Sequence, residues 1–143
     1  MIIVDLNVLI YAVNSATPQH AAVAKWWNNA ANGDDPIGLP WIVVDGFLRL
    51  TTRTGILPKP LPIESALSLI DAWFQLDHIV SPSETDDHWT IMRRLLNAAG
   101  TGGNLVTDAH LAALAIGHGA TLATCDNDFA RFDGLNRVSP TDG

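Results

Sequence analysis

The chain has 143 residues, 48% of them hydrophobic: enough to bury a real core as one domain spanning residues 1–143, and too apolar for a mainly disordered polypeptide. Fifteen acidic against eight basic residues give a formal charge of −7, the wrong sign for gripping nucleic acid by general attraction, although a bound metal ion can present a positive centre to a phosphate. A single cysteine, Cys125, excludes an internal disulfide and fits a reducing compartment; with no cationic leader and no apolar run as long as a membrane span, a soluble, cytoplasmic protein without a membrane partner is expected.

Residues 2–4 are a β-branched run suited to a strand buried on both faces, and Asn7 to Val13 reads as the helix that follows. Thr17 before Pro18 predicts a second helix start, with the hydroxyl accepting a backbone hydrogen bond and Pro18 at the first helical position, and Asn32-Gly33 predicts its end. Ile37-Gly38-Leu39 is the second strand; Pro40 opens another helix, ended by Gly55, and 57–62 form a stiff connector too weakly flanked to divide domains. Ile63, Ala66, Leu67, Ile70 and Phe74 recur at helical spacing, predicting one face packed on the sheet. His78-Ile79-Val80 is the third strand. Ser83 with Asp86 resembles a capping box for a helix with a Trp89, Met92, Leu95, Leu96 and Ala99 stripe, ending at Gly100. After the turn at 101–104 a helix carries Asp108 to Gly117, Ala120 to Thr124 forms the fourth strand, and Val138 marks a short fifth. Strands alternating with long crossovers predict an α/β fold, a parallel sheet with helices on both faces.

Several carboxylates stand where apolar elements end. In a parallel sheet, ligands bind beyond the carboxyl ends of the strands, so Asp5 and Asp126 can share one crevice across the length of the chain, and crowded carboxylates there call for a divalent cation. Each has an ordinary alternative: Asp5 and Asp108 as helix-start residues, Asp126 as an Asx-turn, Asp128 as a cap for the turn after it. Asp45 lies inside an apolar helix, Trp41-Ile42-Val43-Val44-Asp45-Gly46-Phe47-Leu48, and either pairs with Arg49 four residues on or points into the crevice. His110, two residues past Asp108, does not share its helix face and reads as a partner- or solvent-facing side chain. Cys125 reads as a small core residue and the five tryptophans as mostly core, one or two of them lining a partner groove. No Gly-rich phosphate loop is present.

The residues Ile-Val-Asp-Leu-Asn-Val-Leu-Ile around Asp5, Asp45-Gly46-Phe47-Leu48-Arg49-Leu50-Thr51-Thr52, Thr107-Asp108-Ala109-His110-Leu111-Ala112-Ala113-Leu114-Ala115 and Cys125-Asp126-Asn127-Asp128-Phe129-Ala130-Arg131-Phe132 together resemble the PIN-domain ribonucleases, within them the VapC-type toxins of bacterial toxin-antitoxin pairs. The resemblance covers nearly the whole chain. It implies a three-layer α/β/α sandwich with a four- to five-stranded parallel sheet. It also implies a metal site of Asp5, Asp108 and Asp126, with Asp45 as the remaining catalytic acid where the family commonly has Glu. Asn7 matches a small polar position that orients Asp5 or a metal-bound water, and Asp128 a frequent, less essential acid. The implied reaction is hydrolysis of an RNA phosphodiester, in tRNA or rRNA, with Mg²⁺ or Mn²⁺ activating water and stabilising charge on the phosphate. The implied partners are a cognate VapB-type antitoxin and a second copy of the chain. Two other readings stand beside it: a non-catalytic protein-binding domain, and a metal-dependent phosphatase, against which Asn7 stands where a second Asp is expected.

Overall fold

A computed structural model describes residues 1–141. In chain order the elements are β1 (Ile2–Val4), α1 (Leu6–Val13), α2 (His20–Ala31), β2 (Ile37–Gly38), α3 (Trp41–Thr52), α4 (Ile63–Phe74), β3 (Ile79–Val80), α5 (His88–Ala99), α6 (Leu105–Gly117), β4 (Thr121–Ala123) and β5 (Asn136–Val138), with a 3₁₀ turn at Asn127–Arg131 before the last strand. The strands form one parallel sheet in the order β3-β2-β1-β4-β5. The chain moves from β1 outward to β3, then returns across the sheet to β4. Right-handed crossovers therefore place α1 to α4 on one face and α5 and α6 on the other. The packing agrees: α1 rests on α2 and α3, α3 on α4, and α5 on α6. Among the described residues no helix is long and apolar enough to cross a membrane.

The central strands are short apolar runs because both of their faces are covered. Ile3, Val4, Leu122 and Ala123 are wholly buried, and Phe47 from α3 and Phe129 from the 3₁₀ turn fill the layers on either side. Each such large side chain contributes about 1.5–3 kcal/mol through the apolar surface it removes from water. Gly46 lets α3 approach α1: a Cβ there would stand 2.6 Å from Leu6 Cδ2. That close approach brings the α3 residue Asp45 toward the end of β1.

Several local expectations are corrected. α2 begins at His20 with Gln19 at its cap, not at Thr17-Pro18. The Thr17 hydroxyl donates to the Asn14 carbonyl (2.9 Å) and the Asn14 side chain accepts from Ala16 N, so this segment closes a turn before the helix can start. α5 begins at His88, so Ser83 and Asp86 lie outside it; the Ser83 carbonyl instead accepts from His118 Nε2. α3 stops at Thr52, where Thr51 and Thr52 hydroxyls donate back to the Phe47 and Leu48 carbonyls, and Gly55 lies beyond it in the left-handed region. The buried face of α4 is Ala66, Ile70 and Trp73, while Ile63 and Leu67 are exposed. Trp27 and Trp73 are core residues in edge-to-face contact, but Trp41 and Trp89 are 62% and 65% exposed.

Candidate active site

The sheet reverses its direction of growth between β1 and β4, and this switch point leaves a crevice beyond the carboxyl ends of the two strands. Asp5 is the first residue after β1. Its backbone N–H donates to the Ala123 carbonyl at 2.9 Å, so the ladder itself sets its position beside the end of β4. The Asp5 carboxylate is only 9% exposed and is held at both oxygens: Oδ1 accepts from Leu6 N (2.7 Å), and Oδ2 from Thr124 Oγ1 (2.7 Å) and Asn7 Nδ2 (3.0 Å). Thus Asp5 is both a helix cap and a crevice residue; the two readings were not exclusive.

Thr124, just past β4, ties the two strand ends together. Its hydroxyl donates to Asp5 and accepts from the backbone N–H of Asp126 at 3.0 Å. Asn7 adds a second tie, donating to Asp5 while its Oδ1 accepts from Cys125 N (3.1 Å). Asp126 caps the 3₁₀ turn, with Oδ1 accepting from Asp128 N at 2.8 Å; the cap predicted for Asp128 belongs to Asp126, and Asp128 is an exposed residue of that turn. Cys125 is half-buried against the core edge.

The helices supply the other two acids. α6 runs back from the crevice, so Asp108 in its first turn faces the strand ends. Asp5, Asp108 and Asp126 line one cleft of about 440 Å³, which extends along Asn7, Tyr11, Leu50 and Ile56. Asp45 and Arg49 line an adjoining cleft of about 380 Å³ that also contains Asp5 and Asp108. Asp45 is exposed, and among the described residues no ion pair joins it to Arg49. All four predicted acids therefore stand at one end of the sheet, with Asp45 to one side of the other three.

Electrostatics mark the crevice as a place that favours a cation. Burial, and then the negative charges of Asp5, Asp126 and Asp128, push the Asp108 carboxyl up to about 6, with Arg131 opposing. Burial also raises Asp5, against the hydrogen bonds from Thr124 and Leu6. A divalent cation bound among these oxygens removes the repulsion. Among the described residues no three His, Cys, Asp or Glu side chains stand close enough to enclose one ion. The donor set still suits a hard ion such as Mg²⁺, which keeps several waters and uses one or two carboxylates together with substrate phosphate oxygens.

Sequence reasoning missed Thr124, whose only signal was a hydroxyl residue closing a strand immediately before an acidic turn. It also placed His110 toward solvent or a partner; the ring is half-buried against α5, beside His88 and Glu84.

With this geometry in view, comparison with known proteins is decisive. The PIN domain profile matches residues 2–135. The chain belongs to the PIN-domain family. It is 42% identical over 140 residues to Ribonuclease VapC37 of Mycobacterium tuberculosis, covering 98% of this chain and 97% of that protein, which places it with the VapC group. Its fold matches a chain in the crystal structure of VapBC2 from Rickettsia felis bound to a promoter DNA fragment (TM-score 0.67, 21% identity, 97% of this chain and 98% of that one). It also matches a chain of a toxin-antitoxin complex from Klebsiella pneumoniae (TM-score 0.63, 16% identity, 98% of each chain). The PIN fold expected from the sequence, including the fifth strand, is thereby established for this chain.

Proposed function

We propose that this PIN-domain protein is a metal-dependent endoribonuclease, the toxin of a VapB-type antitoxin pair, that hydrolyses RNA phosphodiesters at the Asp5–Asp108–Asp126 crevice. The observation that carries the reading is the tie between the strand ends: Thr124 and Asn7 each bridge Asp5 to the segment leading to Asp126, directly beside Asp108. A structural cap needs none of this cross-strand bracing. The 42% identity to a protein named a ribonuclease supports the same reading.

Asp5, Asp108 and Asp126 would hold Mg²⁺ or Mn²⁺, which supplies a Lewis acid for the phosphate and lowers the pKa of coordinated water. The protein's own part is positioning. Asn7 and Thr124 hold Asp5 in one rotamer, and burial keeps its oxygens poorly hydrated, so a cation gains more there than at an exposed carboxylate. Asp45 stands to one side, and its shorter side chain would reach a bound cation only through water. Arg49 and Arg131 offer cationic contacts to the RNA backbone on an otherwise acidic protein, so phosphate recruitment depends on the bound ion. A cytoplasmic location follows from the proposed substrate. The proposed homodimer and antitoxin complex would cover apolar surface such as Trp41, Ile63 and Leu67, which is exposed in the isolated chain.

The test is RNA cleavage by the purified chain with Mg²⁺, with Mn²⁺ and with chelator, beside Asp5→Asn and Asp108→Asn variants checked by circular dichroism. Cleavage that needs the ion and disappears in both folded variants supports the assignment. Undiminished cleavage by both sinks it, and preferential hydrolysis of small phosphate esters transfers the site to a phosphatase. Mapping cellular RNA ends after induction of the wild type and Asp5→Asn then identifies the tRNA or rRNA target.

A further inference from the structure

The cleft that holds Asp5, Asp108 and Asp126 changes its chemistry along its length. Beyond the acids, within the same volume of about 440 Å³, it is walled by Ile10 and Tyr11 of α1, Leu50 of α3 and Ile56 of the connector. Binding sites for small organic groups occupy about 300–1,000 Å³ and join an apolar lining to a few fixed polar groups. Hydrated Mg²⁺ and phosphate oxygens gain nothing from an apolar wall. A planar, largely apolar group carried on a phosphate gains from both ends of the cleft at once.

Asn7 and Tyr11 are four residues apart on α1 and share a face, with Tyr11 about 6 Å farther along the helix axis. That step suits a nucleoside whose phosphate lies at the acids. Tyr11 is the only tyrosine of the chain and supplies the one aromatic ring lining the cleft. Tyr11, Leu50 and Ile56 are each partly buried and packed against the core, so the wall is backed by protein. The Tyr11 carbonyl accepts from His20 Nδ1 (2.8 Å), fastening this turn of α1 to α2. Asn14 Nδ2 donates to the Ile56 carbonyl (3.2 Å) and holds the connector against the end of α1. The Asn14 Oδ1 and the Thr17 hydroxyl, at the same end of the cleft, are engaged with Ala16 N and the Asn14 carbonyl. An aromatic ring among side chains whose polar groups are already engaged recognises a base by its face and not by its edge.

We propose that Tyr11, flanked by Leu50 and Ile56, is a stacking subsite for an unpaired RNA base next to the phosphodiester at the acidic crevice. The inference rests on the nuclease reading and specifies the form of its substrate: a single-stranded stretch, where a base is free to leave its neighbours. Stacking tolerates any base, and a purine, which covers more of the ring and the flanking side chains, is favoured.

The test reads binding without turnover: fluorescence anisotropy of a labelled hexaadenylate on the full chain carrying Asp108→Asn, in excess MgCl₂. Tyr11→Leu on that background should weaken binding about 10-fold, and Tyr11→Phe, which keeps the ring, should restore it. A strand of the same length built of abasic residues should bind more weakly and show no dependence on Tyr11. Because the chain has one tyrosine, labelling this residue type gives an NMR signal from Tyr11 alone, a readout that needs no substitution at Tyr11. Hexaadenylate should shift its ring resonances upfield, and the abasic strand should not. Equal binding of hexaadenylate by a folded Tyr11→Leu, or ring resonances that the bases leave unmoved, would overturn the subsite and return the apolar wall to a protein partner. If the unmutated chain still cleaves RNA in that case, the nuclease reading stands without the subsite. Tyr11-dependent binding with no cleavage by the unmutated chain would keep the base site and remove the nuclease reading.

Discussion

The acids that follow strands and the acids carried by helices are held in different ways. Asp5 is fixed by the ladder, by Leu6 N and by two side chains, and Asp126 by its own turn and through Thr124. Among the described residues Asp108 has no comparable bracing: its partners are charges, mostly of its own sign, and burial that opposes ionisation. Asp45 is exposed on α3. Strand ends thus give a braced half-site, and helices complete it with carboxylates whose mutual repulsion the proposed cation would relieve. In the proposed enzyme the braced half would limit what must be ordered on binding, while the less braced half would accommodate a hydrated ion and a moving phosphate.

The contrast can be broken most sharply by Asp5→Asn or Asp108→Asn, each expected to reduce metal-dependent RNA cleavage at least about 100-fold while preserving the circular dichroism spectrum. Thr124→Val probes the bracing without touching a carboxylate. It should weaken Mg²⁺ binding, measured by calorimetry, by about 10-fold to 100-fold, the usual cost of removing an outer partner of a metal ligand. Asp45→Asn should cost about 10-fold in cleavage, and Asp45→Glu should match or exceed the wild type if reach to the cation limits its role. Asp128→Asn, on an exposed turn, should change cleavage by less than about 3-fold.

The pH response sharpens the same division. The folded carboxyl of Asp108 titrates at about 6 against an ordinary value of 3.8, so between those values the native state binds the extra proton. Stability of the metal-free protein should therefore fall as pH rises through this window and level off above it. Asp108→Asn should flatten that slope in thermal melts, and saturating Mg²⁺ should reverse it, since the cation binds the ionised form. A metal-free melting temperature that rises over the same interval would contradict the crowding of charge at the crevice.

Much of this arrangement was legible because its signals are local. Two-faced apolar runs followed by an acid predicted β1 and β4 with Asp5 and Asp126 at their ends, and the spacing inside α6 put Asp108 and His110 on different faces. Helix starts were less legible: Thr17 and Ser83 have the right chemistry for caps, but Thr17 is engaged with Asn14, and Ser83 lies five residues before α5 begins, its carbonyl bonded to His118. The amphipathic pattern of α4 was read one step off because Trp73, not Ile63 or Leu67, supplies its buried bulk against Trp27 and Phe47. The Thr124 brace and the His88–His110 contact were invisible for a different reason. Both join residues 22 or more positions apart, which periodicity cannot register.

The bond from Thr124 to Asp5 spans 119 positions. During synthesis, Asp5 is made well before its brace, which arrives only when β4 and the turn after it have been made. A truncated product can bear Asp5, Asp45 and even Asp108 and still have no assembled crevice. The topology thereby withholds the proposed activity until the stretch from β1 through β4 has been made, giving a binding partner that interval in which to be present.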